Sequence, residues 1–442
     1  MSKQPFFPII LAAGQGSRMK SDTPKVLHPV GGQPMLYHIL ATLKTMGCGQ
    51  VCVVTAPNMG DVRATLGNAI DHAIQETPLG TAHAVLSAES YIKENQDPIL
   101  VLYGDTPLIE AETLWLMLEA LEHNHLVVLG MHRTDPKSYG RIFADETGRI
   151  NRIVEAKDAT LEERSHTLCN SGVMLIRHEV CLPLLKKVSN HNANKEFYLT
   201  DLIELGNQAG YQSKVIIRHY DELRGVNTRQ DLSEVEHVFQ DRKREEFMKL
   251  GVTLVDPSTV YFSFDTKIGP DVVIEPFVTV GPGTVIEKGV TLKSFTVIEG
   301  SHIQENAVIG PFARLRPGTK VGEKAKIGNF VEIKKSTLDK GAKVSHLSYI
   351  GDATIGENTN IGAGTITCNY DGFSKHETRL GKNVFVGSNT SLVAPLVVED
   401  NAILGAGSVV TENVSKDSLV IARAPQQNIP QGASKFRDKR KK

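Results

Sequence analysis

From Ile268 to Val410 an aliphatic side chain recurs at nearly every sixth position, and polar or small residues fill most positions between. The register runs Ile268, Ile274, Val280, Ile286, Leu292, Ile298, slips by one residue, and resumes at Ile303, Ile309, Leu315, Val321, Ile327, Ile333. Further slips lead to Leu338, Val344, Ile350 and then to Ile355, Ile361. After an insertion it returns at Leu380, Val386, Leu392, Val398, Leu404, Val410. All 23 positions are Ile, Leu or Val, and glycine follows 11 of them, where the backbone must turn. No helix has a period of six. Hexapeptide repeats wind into a parallel β-helix: each six residues form one flat side, and three sides close a coil of about 18 residues, so about eight coils are expected.

The first half has a different rhythm. Short apolar runs at Phe7 to Leu11, Val51 to Thr55, Ile99 to Tyr103, Leu126 to Met131, Val173 to Ile176 and Val215 to Ile217 read as strands. Helical spacing occupies Met35 to Met46, Thr81 to Tyr91, Ala111 to His123 and Tyr198 to Gln208. Such alternation predicts an α/β domain with a mostly parallel sheet over residues 1–229. Ligands of these sheets bind at the carboxyl ends of the strands. Residues 230–250 mix Leu232, Val235, Val238 and Phe239 with many charges, an amphipathic helical linker. Residues 251–442 then hold the β-helix, with a polar, proline-containing tail after Arg423.

Composition narrows the picture. A formal net charge of -1 gives no general field for nucleic acid. The basic run from Lys435 to Lys442 is the exception, and it reads as a solvated, disordered tail. Five cysteines without a C-x-x-C pair indicate reduced thiols in a cytoplasmic protein. No run approaches the roughly 18 apolar residues of a membrane span, so no membrane insertion is expected.

Chemistry concentrates at strand ends. After the first strand comes Leu11-Ala12-Ala13-Gly14-Gln15-Gly16-Ser17-Arg18-Met19, where glycines let backbone N–H groups approach a phosphate chain. Arg18 and Lys25 add positive charge. Alone, the loop also fits a plain strand-to-helix turn, because it lacks the third glycine of a dinucleotide fingerprint. Tyr103-Gly104-Asp105 ends another strand with a carboxylate suited to Mg²⁺. With Gln75, Leu79-Gly80-Thr81-Ala82-His83-Ala84, Tyr139-Gly140-Arg141-Ile142, Val154-Glu155, Asn170-Ser171-Gly172 and Gly225-Val226-Asn227, the segment resembles the sugar-1-phosphate nucleotidyltransferases. The resemblance implies a Rossmann-like fold in which Leu11, Ala12, Ala13, Gly14, Gln75, Gly80 and Thr81 hold the nucleotide. It places Arg18 and Lys25 at the phosphates, Tyr103 and Gly104 in the nucleotide-sugar site, and Gly140, Glu155 and Asn170 at the sugar. It makes Asp105 and Asn227 ligands of one Mg²⁺ per site. Without it, Asn227 reads as a turn asparagine.

The coil register locates a second cluster. Arg316 and Lys334 each follow an inward aliphatic residue and lie 18 residues apart without a slip, so they stack one strand spacing, about 4.8 Å, apart. Two such cations invite a bridging phosphate; pairing with Glu332 is the alternative. Neighbouring columns hold Arg314, Glu332 and Tyr349, and Asn329 and His346. In this company the imidazole suits a general base, with Glu332 as the group expected to orient it. The insertion Thr367 to Arg379 carries Cys368-Asn369-Tyr370-Asp371-Gly372 and Lys375.

With Gly362-Ala363-Gly364-Thr365-Ile366-Thr367 before it, the whole chain resembles the bifunctional bacterial N-acetylglucosamine-1-phosphate uridyltransferases/glucosamine-1-phosphate N-acetyltransferases. The resemblance implies a left-handed β-helix that forms homotrimers and binds acetyl-CoA at a subunit interface. It makes His346 the proton acceptor, assigns Arg316, Lys334, Tyr349, Asn360 and Lys375 to glucosamine 1-phosphate, and assigns Ala363, Asn369, Tyr370, Ser388, Ala406 and Arg423 to acetyl-CoA. UTP is the implied co-substrate of the first half. Three other readings stay open: a single-activity nucleotidyltransferase with a regulatory or oligomerising β-helix, a non-enzymatic trimerisation post, and a metal hydratase. The last is disfavoured because His302, His346 and His376 have spacings unsuited to a shared metal.

Overall fold

Phe7–Leu11 and Ile99–Tyr103, the two most continuous apolar runs of the first half, pair in parallel at the centre of a sheet. In the computed structural model, which describes residues 5–440, the sheet runs in the order Ser213–Ile217, Leu126–His132, Leu168–Ile176, Ile99–Tyr103, Phe7–Leu11, Cys52–Thr55, Asp71–Ile74. Leu168–Ile176 is antiparallel to both neighbours; the other pairs on this path are parallel. Alternate residues feed opposite faces: Ile9 and Val101 enter one core, Ile10 and Leu102 the other. A parallel sheet needs this cover on both faces, which explains strands without polar alternation. At the carboxyl edge, Gly104 N–H donates to Leu11 O at 2.9 Å, setting the two strand ends side by side.

The differences from the sequence reading are local. Thr81 to Tyr91 forms two helices, Thr81–Leu86 and Glu89–Glu94, because Ser87 Oγ turns back onto His83 O at 3.0 Å at the end of the first. The predicted helix from Tyr198 begins at Asp201. The hairpin Arg141–Ala144 with Ile150–Val154 and the edge strand Asp71–Ile74 lack a continuous apolar run and escaped the pattern.

The chain divides into two compact units, Met1–Gln240 and Asp241–Lys442, and the division falls inside one helix, Arg229–Lys249. Phe239 sets its ring edge-on against His38 in the first unit, and Phe247 packs on Phe262 in the second.

The second unit is a coil of three parallel sheets of ten, nine and eight strands. Of the 23 registered aliphatics, Ile268 is partly buried and the other 22 are fully buried, so the six-residue period is the core. Thr253–Leu254 and Tyr261–Phe262 extend the coil before the register, and Leu419–Val420 extends it after. One corner of every coil turns through a left-handed residue: Phe277, Phe295, Phe312, Phe330, Leu347, Gly364, Asn389 and Gly407 form one column. The tail departs from expectation: Gly432–Arg440 is helical and has no buried residue, with Arg440 over the Phe436 ring at 4.7 Å, a pair at helical spacing. Lys441 and Lys442 lie outside the described residues. Among those residues no helix is long and apolar enough to cross a membrane.

Candidate active sites

The first site grows from the two strand ends. Ala12 to Gly14 leave Phe7–Leu11, and Asp105 follows Ile99–Tyr103. With Leu11, Lys25, Gln75, Gly80, Thr81 and Tyr103 they line one cavity of about 300 Å³. A Cβ on Gly14 would meet no protein atom within 4 Å; it would narrow the cavity instead. Gly80 is a stricter case. Its φ is +117°, and a Cβ would sit 2.5 Å from the Phe197 carbonyl oxygen. Gln75 Nε2 donates to Gly80 O at 3.0 Å, so the buried amide fixes the loop's height over the sheet.

A second cavity, about 270 Å³, shares Thr81 and Tyr103 and brings together Gly140, Glu155 and Asn170. Asn170 Oδ1 accepts from Gly172 N–H at 3.0 Å, while Thr200 Oγ1 donates to Glu155 Oε1 at 3.1 Å. Burial pushes the Glu155 carboxyl up, as it does the Tyr103 phenol. Glu196, Tyr198 and Thr200 also line this cavity and went unnoticed in the sequence. They arrive through nonlocal pairing: Phe197 N–H donates to Leu79 O at 2.8 Å and Phe197 O accepts from Ala82 N–H at 2.9 Å.

Asp201, just beyond, is pushed up to about 6 by burial, with Glu204 and Asp158 adding repulsion. An acid raised in the folded state binds more protons than the unfolded chain, so stability falls as pH rises from its ordinary value, 3.8, through about 6. Asp201→Asn is therefore expected to raise the melting temperature at pH 8 and leave it nearly unchanged at pH 4; a calorimetric scan at both values checks it.

A third cavity, about 450 Å³, adds Arg18 and Asn227 to Tyr103 and Asp105. Val226 N–H donates to Asp105 O at 2.9 Å and joins the two segments. Asn227 is fixed by the helix that starts after it: Asp231 Oδ2 accepts from Asn227 N–H at 2.9 Å and Thr228 N–H at 2.8 Å. Asp105 Oδ2 is ion-paired to Lys25 Nζ, and Asn227 Oδ1 lies 3.3 Å from the same ammonium and 2.9 Å from Arg18 Nη2. Two oxygen donors thus converge on one cationic point. No group of three or more His, Cys, Asp or Glu side chains able to hold a metal occurs among the described residues. The donor set fits a hard divalent cation that takes its remaining ligands from phosphate and water.

The second site lies on the coil. The expected columns hold: Arg314, Glu332 and Tyr349 pair in register, as do Asn329 and His346. The predicted role of Glu332 does not. Its Oε1 accepts from Arg316 Nη1 at 3.0 Å, one coil away, whereas His346 Nδ1 meets Asn329 Oδ1 at 2.7 Å. His346 and Glu332 flank the same corner on adjacent sides of the coil, but the carboxylate reaches back to Arg316 and not round the corner to the imidazole. Arg316 is therefore compensated. The cations that crowd are Lys334 and Lys375: the Lys334 ammonium beside it lowers the Lys375 pKa. An anion is the natural resident there.

The remaining residues fall around this cluster. Ala363, Ser388 and Ala406 continue the column of Asn329 and His346, each directly before a left-handed corner. Arg423 Cδ lies 3.8 Å from where a Cβ on Gly407 would stand, beside that edge. Asn360 pairs in register with Lys343, three residues before the histidine. Asn369 Nδ2 donates to Asp352 Oδ2 at 2.6 Å, near Tyr349 Oη across Gly351. Tyr370 bridges to Lys375 in the insertion. That loop braces itself: Asp371 accepts from Phe373 and Ser374 N–H groups and meets His376 at 2.7 Å, contacts that hold its carboxyl well below the usual range.

With Oδ1 of Asn329 facing the ring, Nδ1 carries the hydrogen and Nε2 is left to accept a proton. If His346 is the proton acceptor that the resemblance implies, Asn329→Ala is expected to lower turnover in the implied acetyl transfer by about 10- to 100-fold, a part of the general-base contribution. Its pH–rate profile should shift as well. A profile and rate equal to wild type would remove the role.

Fold and sites together define a nucleotidyltransferase joined to a hexapeptide-repeat acyltransferase. Residues 8–202 match the MobA-like NTP transferase domain. Residues 265–300 and 300–335 match the bacterial transferase hexapeptide, and 377–412 match the hexapeptide repeat of succinyl-transferase. The coil is accordingly the left-handed parallel β-helix of that class. The chain is 49% identical over 445 residues to the bifunctional protein GlmU of Zymomonas mobilis, covering 99% of each. It is 46% identical to that of Agrobacterium fabrum, covering 98% of this chain and 96% of that one, and 50% identical to that of Maricaulis maris, covering 97% and 95%. The chain belongs to the GlmU family of bifunctional enzymes, an acetyltransferase and a uridyltransferase in one polypeptide. The scaffold and hydratase readings fall away with this.

Proposed function

We propose that the β-helix acetylates glucosamine 1-phosphate with acetyl-CoA, and that residues 1–229 transfer UMP from UTP to the resulting N-acetylglucosamine 1-phosphate. The products of the second step are UDP-N-acetylglucosamine and pyrophosphate, a nucleotide sugar for bacterial cell-wall and lipid A synthesis. The observation that carries the reading is the presence of two complete polar constellations in two separate units. A merely regulatory helix has no use for His346 on Asn329 with Lys334 and Lys375 converging nearby.

In the acetyl-transfer site His346 Nε2 takes the proton as the amino nitrogen attacks the thioester carbonyl; the C–N bond forms and the C–S bond breaks. Lys334 and Lys375 hold the phosphate, with Arg316, Tyr349 and Asn360 around the sugar. Ala363, Asn369, Tyr370, Ser388, Ala406 and Arg423 line the acetyl-CoA site, the small residues leaving room along the edge.

In the uridyl-transfer site an oxygen of the sugar phosphate bonds to the α-phosphorus while the bond to the β-phosphate oxygen breaks. Little covalent chemistry falls to the protein, so alignment and charge dominate. Leu11 to Gly14, Gln75, Gly80 and Thr81 orient the nucleotide. Tyr103, Gly104, Gly140, Glu155 and Asn170 orient the sugar, and Arg18 and Lys25 offset phosphate charge. Asp105 and Asn227 would hold one Mg²⁺ with phosphate oxygens, and that ion supplies charge neutralisation when bound.

A cytoplasmic homotrimer built through the β-helix completes the reading. The rings of Phe277, Phe295, Phe312 and Phe330 are about half exposed and stack at 5.1, 4.8 and 5.1 Å along the corner column that continues to His346's neighbour Leu347. An exposed aromatic ladder of this kind favours self-association. Two assays on the purified protein test the function: thiol release from acetyl-CoA with glucosamine 1-phosphate, and pyrophosphate release from UTP with N-acetylglucosamine 1-phosphate and Mg²⁺. Both should proceed. Pyrophosphate without thiol would make the β-helix regulatory.

A further inference from the structure

Arg133 lines the third cavity together with Tyr139, Tyr220 and Asn227. Its Cζ sits 3.7 Å from the centroid of the Tyr220 ring and 5.4 Å from that of Tyr139. Arg224 lies 4.4 Å from the Tyr220 centroid too. Tyr139 and Tyr220 meet edge to face at 6.4 Å and 88°. Two guanidiniums thus press on one ring, and a second ring abuts it.

The position of this stack is informative. Tyr139 precedes Gly140 on the sugar side, and its Oη accepts from Gly225 N–H at 3.5 Å. Tyr220 and Arg224 precede Gly225, Val226 and Asn227 on the metal side. Arg224 donates to Asp221 at 2.7 Å and to Glu234 at 2.6 Å, anchoring the segment to the helix that holds Asn227. Arg133 is tied to its own loop through Nε, which donates to Asp135 O at 2.9 Å. Its Nη1 is buried without a hydrogen-bond partner among the described residues. A buried guanidinium nitrogen left unpaired costs stability, so the ring contacts are what hold the group in place.

We infer that Arg133 is a positioning residue for uridyl transfer: through Tyr220 it locks the sugar-side loop to the metal-side loop, so that metal binding and sugar-phosphate binding are set together. The inference rests on the nucleotidyl-transfer reading of this site. Loss of the clamp should loosen both loops at once and leave the β-helix untouched.

The test uses the full-length protein and its Arg133→Ala, Tyr220→Phe and Tyr220→Leu variants. The Mg²⁺ concentration for half-maximal pyrophosphate release and the KM for N-acetylglucosamine 1-phosphate should both rise about five- to tenfold in Arg133→Ala and Tyr220→Leu, the loss of one partly desolvated cation–π contact. Tyr220→Phe keeps the ring face and should stay near wild type. Mn²⁺ binding in the presence of UTP, followed by its paramagnetic resonance signal, should weaken in parallel. The effect of the double variant should fall short of the sum of the two single ones, because both remove the Arg133–Tyr220 contact. Thiol release should be unchanged throughout. An Arg133→Ala protein with a lower melting temperature but with metal requirement, Mn²⁺ affinity and KM within twofold of wild type would overturn the inference, as would additive effects in the double variant. Should Arg133→Ala not fold, the contrast between Tyr220→Phe and Tyr220→Leu decides. A wild type that releases no pyrophosphate would instead overturn the underlying reading.

Discussion

Alanine at His346 is expected to slow thiol release from acetyl-CoA by about 10²- to 10⁴-fold, the usual contribution of a positioned general base. Pyrophosphate release should not change. The imidazole is exposed on its corner, so truncating it opens no core cavity and costs little stability. Asn329 Oδ1 already fixes the ring's orientation, and Ala363 beyond it in the column offers no group to replace it. Retention of more than a tenth of wild-type acetyl transfer would remove His346 from the chemistry. A parallel loss of pyrophosphate release would point to unfolding.

The reciprocal result belongs to Asp105. Asp105→Asn keeps the shape but removes the charge that faces Lys25 and the proposed metal position. Pyrophosphate release should fall by at least about a thousandfold, more than the loss of a single neutral hydrogen-bond donor at a reacting centre. The Lys25 side chain is only 13% exposed, so it is left with a partly buried, under-compensated charge. Some loss of melting temperature is expected with the loss of rate. Acetyl transfer should persist, since that chemistry resides on the coil. A variant that keeps a tenth of wild-type pyrophosphate release would show that Asp105 is not a metal ligand.

Why the sequence revealed one half of the fold so fully and the sites unevenly has a physical explanation. In the coil, each inward aliphatic is the core of its own six residues, so a one-dimensional period carries three-dimensional burial; Ile333, Ile350 and Leu392 are all fully buried as the register requires. The same register placed Asn329 beside His346 and Glu332 beside Tyr349. Backbone columns do not determine which way a long side chain reaches, and Glu332 reaches Arg316 rather than the imidazole. The first coil strands escaped because Asp256-Pro257 breaks the period there with a short helical turn.

In the α/β half the central strands were legible because both faces are covered and every position is apolar. The short hairpin from Arg141 was not, since Arg141, Asn151 and Arg152 interrupt its apolar positions. Gly14 and Asp105 were visible as motifs at strand ends, and Gln75 through the family resemblance. Glu196 and Thr200 were not, because Phe197's backbone pairing with Leu79 and Ala82 brings them to the sugar cavity across more than a hundred residues. Arg133 was equally silent, since its nearest partner is the ring face of Tyr220, far along the chain.

The most direct test of two sequential chemistries on one chain is to supply the purified protein with glucosamine 1-phosphate, acetyl-CoA, UTP and Mg²⁺ and follow the products by mass spectrometry. The account predicts that N-acetylglucosamine 1-phosphate appears first and is then converted to UDP-N-acetylglucosamine, with free thiol and pyrophosphate released in equal amounts at completion. Formation of UDP-N-acetylglucosamine only when N-acetylglucosamine 1-phosphate is added from outside would contradict it, and would leave the β-helix without catalysis.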